Sequence, residues 1–309
     1  MWSVTRLYHE YTWVMKEATD PRTSGWLLMS SPIPTVSLVI LYLIVVVQGQ
    51  RWMRDRKALE IKNGLMVYNF CLVLLNTYIF YEFLMTTWLN PGFNKFCQIM
   101  DYSNDELPLR LANACWWFYF SKIIEFMDTV FFVLRKKNRQ ISFLHVYHHS
   151  TMPLLWWIGV KFVPGGESYL SGSINSFIHI LMYSYYFLAA MGPQMQKFLW
   201  WKRYMTALQL VQFWWIFGHT VYALYLSCGY PNGYNWALVC YVMSHIFLFT
   251  NFYYQTYTKK AQSRKAKARK DGAPDKAHTA SHNGAPDKAH TASHNGVSNG
   301  NMNGDMHGN

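Results

Sequence analysis

Three histidines, His145, His148 and His149, stand at positions i, i+3 and i+4 of an apolar stretch, the spacing that gathers side chains on one side of a helix. Neutral imidazole is a good metal ligand, and near pH 7 it is also a usable base and nucleophile. Three further polar sets accompany the cluster. Lys122, Glu125 and Asp128 recur every three residues; Asn175, His179, Tyr183 and Tyr186 follow at spacings of four, four and three; Thr206, Gln209 and Gln212 recur every three. Each set reads as one helical face inside an otherwise apolar segment. Ionisable groups at membrane depth are costly and usually mark function.

Plainer roles compete for several of these residues. Lys122 and Glu125 read equally as an ion pair that orients a helix and as direct participants. Thr206, Gln209 and Gln212 suit interhelical hydrogen bonds, and Tyr183, Tyr185 and Tyr186 suit packing. Lone histidines such as His219 and His245 read as packing groups. Three histidines on one face are not explained by packing.

The elements that position these groups follow from composition. Of 309 residues 51% are hydrophobic and 14% charged, well under the about 25% charged residues of soluble domains. Seven stretches approach the roughly 20 apolar residues that a bilayer crossing needs: 31–49, 65–88, 112–134, 141–161, 169–190, 204–226 and 235–257. The first, third and seventh are the strongest. Residues 1–25 lack the pattern of a cleavable signal peptide, so the first crossing acts as an uncleaved anchor. Alternate loops are rich in Lys and Arg: Arg51, Arg54, Arg56 and Lys57; Arg135, Lys136, Lys137 and Arg139; Lys197, Lys202 and Arg203; and the run after Lys259. The intervening loops are poor in them. Basic loops face the cytosol, which gives seven crossings with the N-terminus lumenal and the C-terminus cytosolic. The sequence therefore predicts an all-α, polytopic membrane protein, with a lumenal segment 1–30, a seven-helix domain 31–258 and a cytosolic tail 259–309.

Depth sharpens this. At the helical rise per residue, Asp128, His148, Gln209 and Tyr183 all lie about 8 to 10 Å from the cytosolic ends of their helices. One shared level implies one polar pocket that opens to the cytosol.

Cys97 and Cys228 fall in lumenal loops, where an oxidising compartment permits a disulfide. The tail carries GAPDKAHTASHN twice, at Gly272–Asn283 and Gly284–Asn295, and is too polar to fold alone. No glycine-rich dinucleotide loop precedes a helix, so no NADPH site is expected.

The run from Phe118 to Trp157, FYFSKIIEFMDTVFFVLRKKNRQISFLHVYHHSTMPLLWW, closely resembles the fatty-acid elongase family, the membrane 3-ketoacyl-CoA synthases of the endoplasmic reticulum. Four motifs occur in order: K-x-x-E-x-x-D-T from Lys122, H-x-x-H-H from His145, N-x-x-x-H-x-x-M-Y-x-Y-Y from Asn175 and T-x-x-Q-x-x-Q from Thr206. The resemblance spans about residues 30 to 258 and points to the animal branch acting on polyunsaturated and very-long-chain acyl groups. It implies a very-long-chain 3-oxoacyl-CoA synthase, joining acyl-CoA and malonyl-CoA and releasing CO₂ and CoA. CoA would stay at the basic cytosolic mouth and the acyl chain would run down an apolar tunnel among the helices.

By motif position the resemblance implies acylation of His148, with His179 as its partner in decarboxylation or carbonyl polarisation. Asp128 or Glu125 would orient a ring nitrogen; His145, His149 and Asn175 would hold geometry and stabilise negative charge. Lys122, Glu125, Tyr183, Tyr186, Gln209 and Gln212 are the expected substrate-binding residues. No cofactor or metal is implied, and no nucleic acid. The expected partners are the bilayer and the two CoA esters, with oligomers of this chain or with other enzymes of the elongation cycle.

Trp214 and Trp215 depart from the pattern, since very-long-chain members often carry a histidine there; indoles lining a tunnel would shorten it. The chain ends without a dilysine retrieval signal, leaving residence in the endoplasmic reticulum to the resemblance and the helices. A di-iron desaturase or hydroxylase is the rival reading, but such enzymes use several histidine boxes, and one box plus His179, His219 and His245 falls short. A seven-helix receptor or transporter would not need its polar groups at one depth.

Overall fold

The computed structural model describes residues 4–259 and Gln262. The remainder of the tail, with its tandem repeat and expected disorder, lies outside the described residues, as do residues 1–3. Among the described residues every regular element is helical.

Helix α1 covers Val4–Glu17. Helix α2 runs through Ile33–Trp52 with a π turn at Val45–Gly49, and α3 spans Lys62–Trp88, ending in a π turn at Leu84–Trp88. Then follow α4 (Glu106–Ile124), α5 (Phe126–Leu134), α6 (Phe143–Phe162), α7 (Tyr169–Met191), α8 (Lys202–Leu226) and α9 (Asn232–Tyr253). Local sequence sets the ends. Pro34 opens α2, where a missing N–H costs nothing. Ser142 caps α6 by accepting from the His145 N–H at 3.2 Å. Gly192, at φ +124°, ends α7 just before Pro193.

Among the described residues, four helical segments are long and apolar enough to cross a membrane: Ile33–Trp52, Lys62–Trp88, Gly166–Met191 and Asn232–Lys259. The chain is a multi-pass membrane protein. The other three stretches read as crossings, 112–134, 141–161 and 204–226, are also helical; they carry three of the four polar motifs and fall outside that set. The stretch 112–134 departs furthest from its reading as one strong crossing. It is two helices, α4 and α5, divided at Glu125. The fault is a local tightening: Asp128 N–H bonds back only three residues, to the Glu125 carbonyl at 3.1 Å.

Packing follows the inside-out logic of a membrane bundle. Large apolar side chains such as Ile40, Val67, Leu74 and Phe247 face outward, whereas Asn69, Asn76, Ser121, Ser176 and Thr220 are buried. Helix α7 lies closely along α3 because Gly172 has no side chain: a Cβ there would sit 2.5 Å from the Phe83 ring. One apolar core, around Phe83, Phe118, Tyr119, Val160 and Tyr169, fills the end of the bundle where loop 89–105 docks. At that end Cys97 and Cys228 form a disulfide. There too Asp20 and Arg22 make a buried ion pair at 2.6 Å, and Arg22 also donates to the Ser103 carbonyl at 2.6 Å. The opposite end carries the basic loops, tied together where Lys136 donates to the Arg54 and Arg56 carbonyls, each at 2.8 Å.

Candidate active site

The fault between α4 and α5 swings Glu125 into the interior. Lys122 on α4 donates to Glu125 Oε1 at 2.8 Å and to Asn175 Oδ1 on α7 at 3.3 Å, and lies 3.2 Å from His179 Nδ1. Glu125 Oε1 is also 3.0 Å from His179 Nδ1. All four side chains are buried. Hydrogen bonds offset part of the cost of a buried ion pair: Asn175 accepts from Lys122 and His179 meets Glu125 Oε1, while Glu125 Oε2 is buried with no hydrogen-bond partner among the described residues.

One turn on, Asp128 Oδ2 accepts the Tyr183 hydroxyl at 2.8 Å, joining α5 to α7. Asp128 is therefore committed to a phenol; Glu125 is the carboxylate that orients an imidazole. Thr129 lies 2.7 Å from His145 Nε2 and 3.3 Å from the Tyr42 hydroxyl of α2. The His149 ring lies 4.2 Å from that of His145 and 6.2 Å from that of Tyr42, centre to centre.

His148 turns the other way. Its Nδ1 stands 3.3 Å from Nε2 of His245 on α9, and His245 Nδ1 lies 3.0 Å from the Tyr241 carbonyl. Both rings border a cavity of about 360 Å³ among α6, α7, α8 and α9. Asn175 and Gln212 join them at its polar end; Met152, Trp156, Ile216, Leu238 and Val242 form apolar walls; Ser168, Tyr230 and Tyr234 lie at the end nearest the disulfide. Gln212 Oε1 is buried with no hydrogen-bond partner among the described residues.

The sequence-derived site thus divides in two. His148, Asn175 and Gln212 line the cavity. Behind it lie three groups: Lys122, Glu125 and His179; Asp128 with Tyr183; and the half-buried His145 with His149. Two residues stand apart: Tyr186 packs on Tyr183 and Tyr185, and Gln209 is half-buried outside the cavity lining. Trp214 and Trp215 are 54% and 58% exposed and do not line the cavity. His179, expected to face His148, is held instead by Lys122 and Glu125, and the ring bonded to His148 is His245. In the sequence His245 reads as a lone packing histidine. Its signal is weak because Tyr241 and His245, four apart on α9, matter only once α9 is packed on α6.

Comparison with known proteins identifies the family. Residues 27–265 match the ELO: GNS1/SUR4 family. "Very long chain fatty acid elongase 4" of Mus musculus is 51% identical over 265 residues, covering 86% of this chain and 84% of the relative. The Homo sapiens protein of that name is 49% identical, covering 86% and 83%. "Very long chain fatty acid elongase 5" of Tachysurus fulvidraco is 48% identical over 253 residues, covering 82% and 85%. With its histidine-lined cavity and a match across most of its length, the chain belongs to the ELO family.

Proposed function

We propose that the chain is the condensing enzyme of very-long-chain fatty-acid elongation, joining acyl-CoA to malonyl-CoA through an acyl-imidazole on His148. The elongase activity follows from the family and from relatives of about 50% identity; the route through His148 is our reading of the geometry. One observation carries it: His148 stands at the polar end of an otherwise apolar cavity, beside Asn175.

Chemistry proceeds in two halves. The His148 Nε2 lone pair attacks the thioester carbonyl, the C–S bond breaks, and CoA leaves as a thiolate that takes a proton from solvent, while His148 keeps its Nδ1 proton as an acyl-imidazolium. Malonyl-CoA then loses CO₂; the electron pair of the broken C–C bond attacks the acyl carbon, and the C–N bond to His148 breaks. The product is a 3-ketoacyl-CoA two carbons longer. Because Lys122 occupies Asn175 Oδ1, the Asn175 amide N–H₂ is free to face the cavity and to donate to the oxyanion of each tetrahedral intermediate. His179, oriented by Glu125, is assigned to the decarboxylation half.

The same reading gives the finer placement. The protein crosses the endoplasmic reticulum membrane seven times, with the N-terminus and disulfide lumenal and the basic loops cytosolic. The charged CoA esters sit at the cytosolic end, and a polyunsaturated or very-long acyl chain extends along the cavity toward Tyr230 and Tyr234 as its tunnel. No cofactor is required. Oligomers with other elongation enzymes remain part of this proposal. Against di-iron chemistry stand the imidazoles themselves: His145 is turned to Thr129, His148 to His245 and His179 to Glu125.

The test is purified protein in nanodiscs, given labelled malonyl-CoA and a series of acyl-CoAs. Label should enter 3-ketoacyl-CoA, and His148→Ala should abolish this while leaving insertion and the disulfide intact. Normal product from His148→Ala would remove His148 from the role.

A further inference from the structure

The proposed nucleophile needs a bare nitrogen, and in a neutral imidazole the proton sits on one nitrogen or the other according to the partners of each. The chain of contacts behind His148 settles which. A carbonyl oxygen only accepts, so the 3.0 Å contact between His245 Nδ1 and the Tyr241 carbonyl puts a proton on His245 Nδ1. Ser244 Oγ, also 3.4 Å from that nitrogen, gives its own proton to the Tyr241 carbonyl at 2.6 Å and so presents lone pairs to the ring. Neutral His245 then has an unprotonated Nε2. That atom lies 3.3 Å from His148 Nδ1, which must be the donor. His148 Nε2 is left with its lone pair exposed.

From this chain we infer that His245 is a positioning residue for the reaction, fixing His148 as the Nδ1–H tautomer and so presenting Nε2 as the acyl acceptor. This rests on the reading of His148 as nucleophile. The position of the His245 ring is itself fixed. It is 1% exposed and held between Tyr241, at 4.3 Å between ring centres, and Phe213 and Tyr147, each at 5.4 Å. Tyr241 is pinned in turn by Thr151 of α6, whose hydroxyl lies 2.9 Å from the phenol oxygen. As the acyl group bonds to Nε2, the His148 ring becomes cationic. Its Nδ1–H···Nε2 bond to His245 then becomes charge-assisted and strengthens. Support from His245 thus grows along the reaction coordinate, as a contribution to rate requires.

Two variants separate this role from packing. His245→Phe keeps a ring in the aromatic cage but removes the acceptor; His245→Gln keeps an acceptor in reach of His148. The readout is release of CoA from a long-chain acyl-CoA in a single turnover, with malonyl-CoA omitted. His245→Phe should slow it about 10- to 100-fold, the usual cost of losing an orienting partner. Its affinity for acyl-CoA should stay within about threefold of the parent, since only the bond-making step is affected. His245→Gln should recover most of the rate. A parental rate for His245→Phe, or a His245→Gln no faster than His245→Phe, would overturn the assignment.

A measurement on the unaltered protein covers the case in which a variant does not fold. With ¹⁵N-labelled histidine, His148 should show a protonated Nδ1 and an unprotonated Nε2; the reverse tautomer would overturn the inference. Failure of the nucleophile reading is distinguishable. It would appear as no CoA release from the unaltered protein, whatever tautomer the spectrum reports.

Discussion

Glu125 Oε1 lies 3.0 Å from His179 Nδ1 and is the same oxygen that Lys122 holds at 2.8 Å. One carboxylate thereby neutralises a buried ammonium and orients an imidazole, all three side chains being buried. Stability and chemistry are coupled at this residue.

Removing half of a buried pair strands the other charge, a loss of about 3–5 kcal/mol, whereas removing both halves is far milder. Glu125→Gln should therefore melt well below the parent in detergent. The double variant Lys122→Met with Glu125→Gln should melt above either single variant and still make no product. Equal melting of single and double variants would show that the pair is not the reason both residues are buried.

The Tyr183–Asp128 bond joins α7 to the short α5. Contacting residues in one network couple by about 0.5–3 kcal/mol. A double-mutant cycle of Tyr183→Phe and Asp128→Asn should fall in that range when read by thermal or denaturant melting. Strict additivity would mean that the bond does not form in the bilayer.

Closing a chain loop across 131 residues of sequence separation constrains the unfolded state, typically by about 2–4 kcal/mol. Cys97→Ser and Cys228→Ser should each lower the melting temperature, and the pair together should do no more than either alone. Condensing activity should persist at low temperature, because the disulfide lies at the end of the bundle away from His148. Additive losses would indicate separate roles for the two thiols.

Trp214 is outward-facing, so Trp214→Leu should leave the distribution of product lengths unchanged. Leu238 lines the cavity; Leu238→Trp should shift products to shorter chains. Gas chromatography of the products checks both. A length change from Trp214→Leu alone would place the acyl path outside this cavity.

Helical spacing made the all-helical fold, the histidine box and the polar faces of α4, α5 and α7 legible, because those patterns are local. Direction within a face was not. Consecutive residues turn by about 100°, so His148 points that far from His149, toward α9 and the cavity rather than toward Thr129. The break at Glu125 was hidden for a related reason: the stretch 112–134 is apolar on average, and the ion pair of Lys122 with Glu125 has the i,i+3 spacing of an unbroken helix. His245 gave no warning either, since its partner is 97 residues away in sequence. The outward turn of Trp214 depends on how α8 lies against α9, which no spacing on α8 reveals.

The most direct measurement is peptide mass spectrometry after mixing the enzyme with a long-chain acyl-CoA in the absence of malonyl-CoA. We expect one acyl group per chain, on His148, discharged into 3-ketoacyl-CoA when malonyl-CoA is added. An unmodified His148 under conditions that support turnover, or an adduct there that malonyl-CoA fails to discharge, would contradict the mechanism.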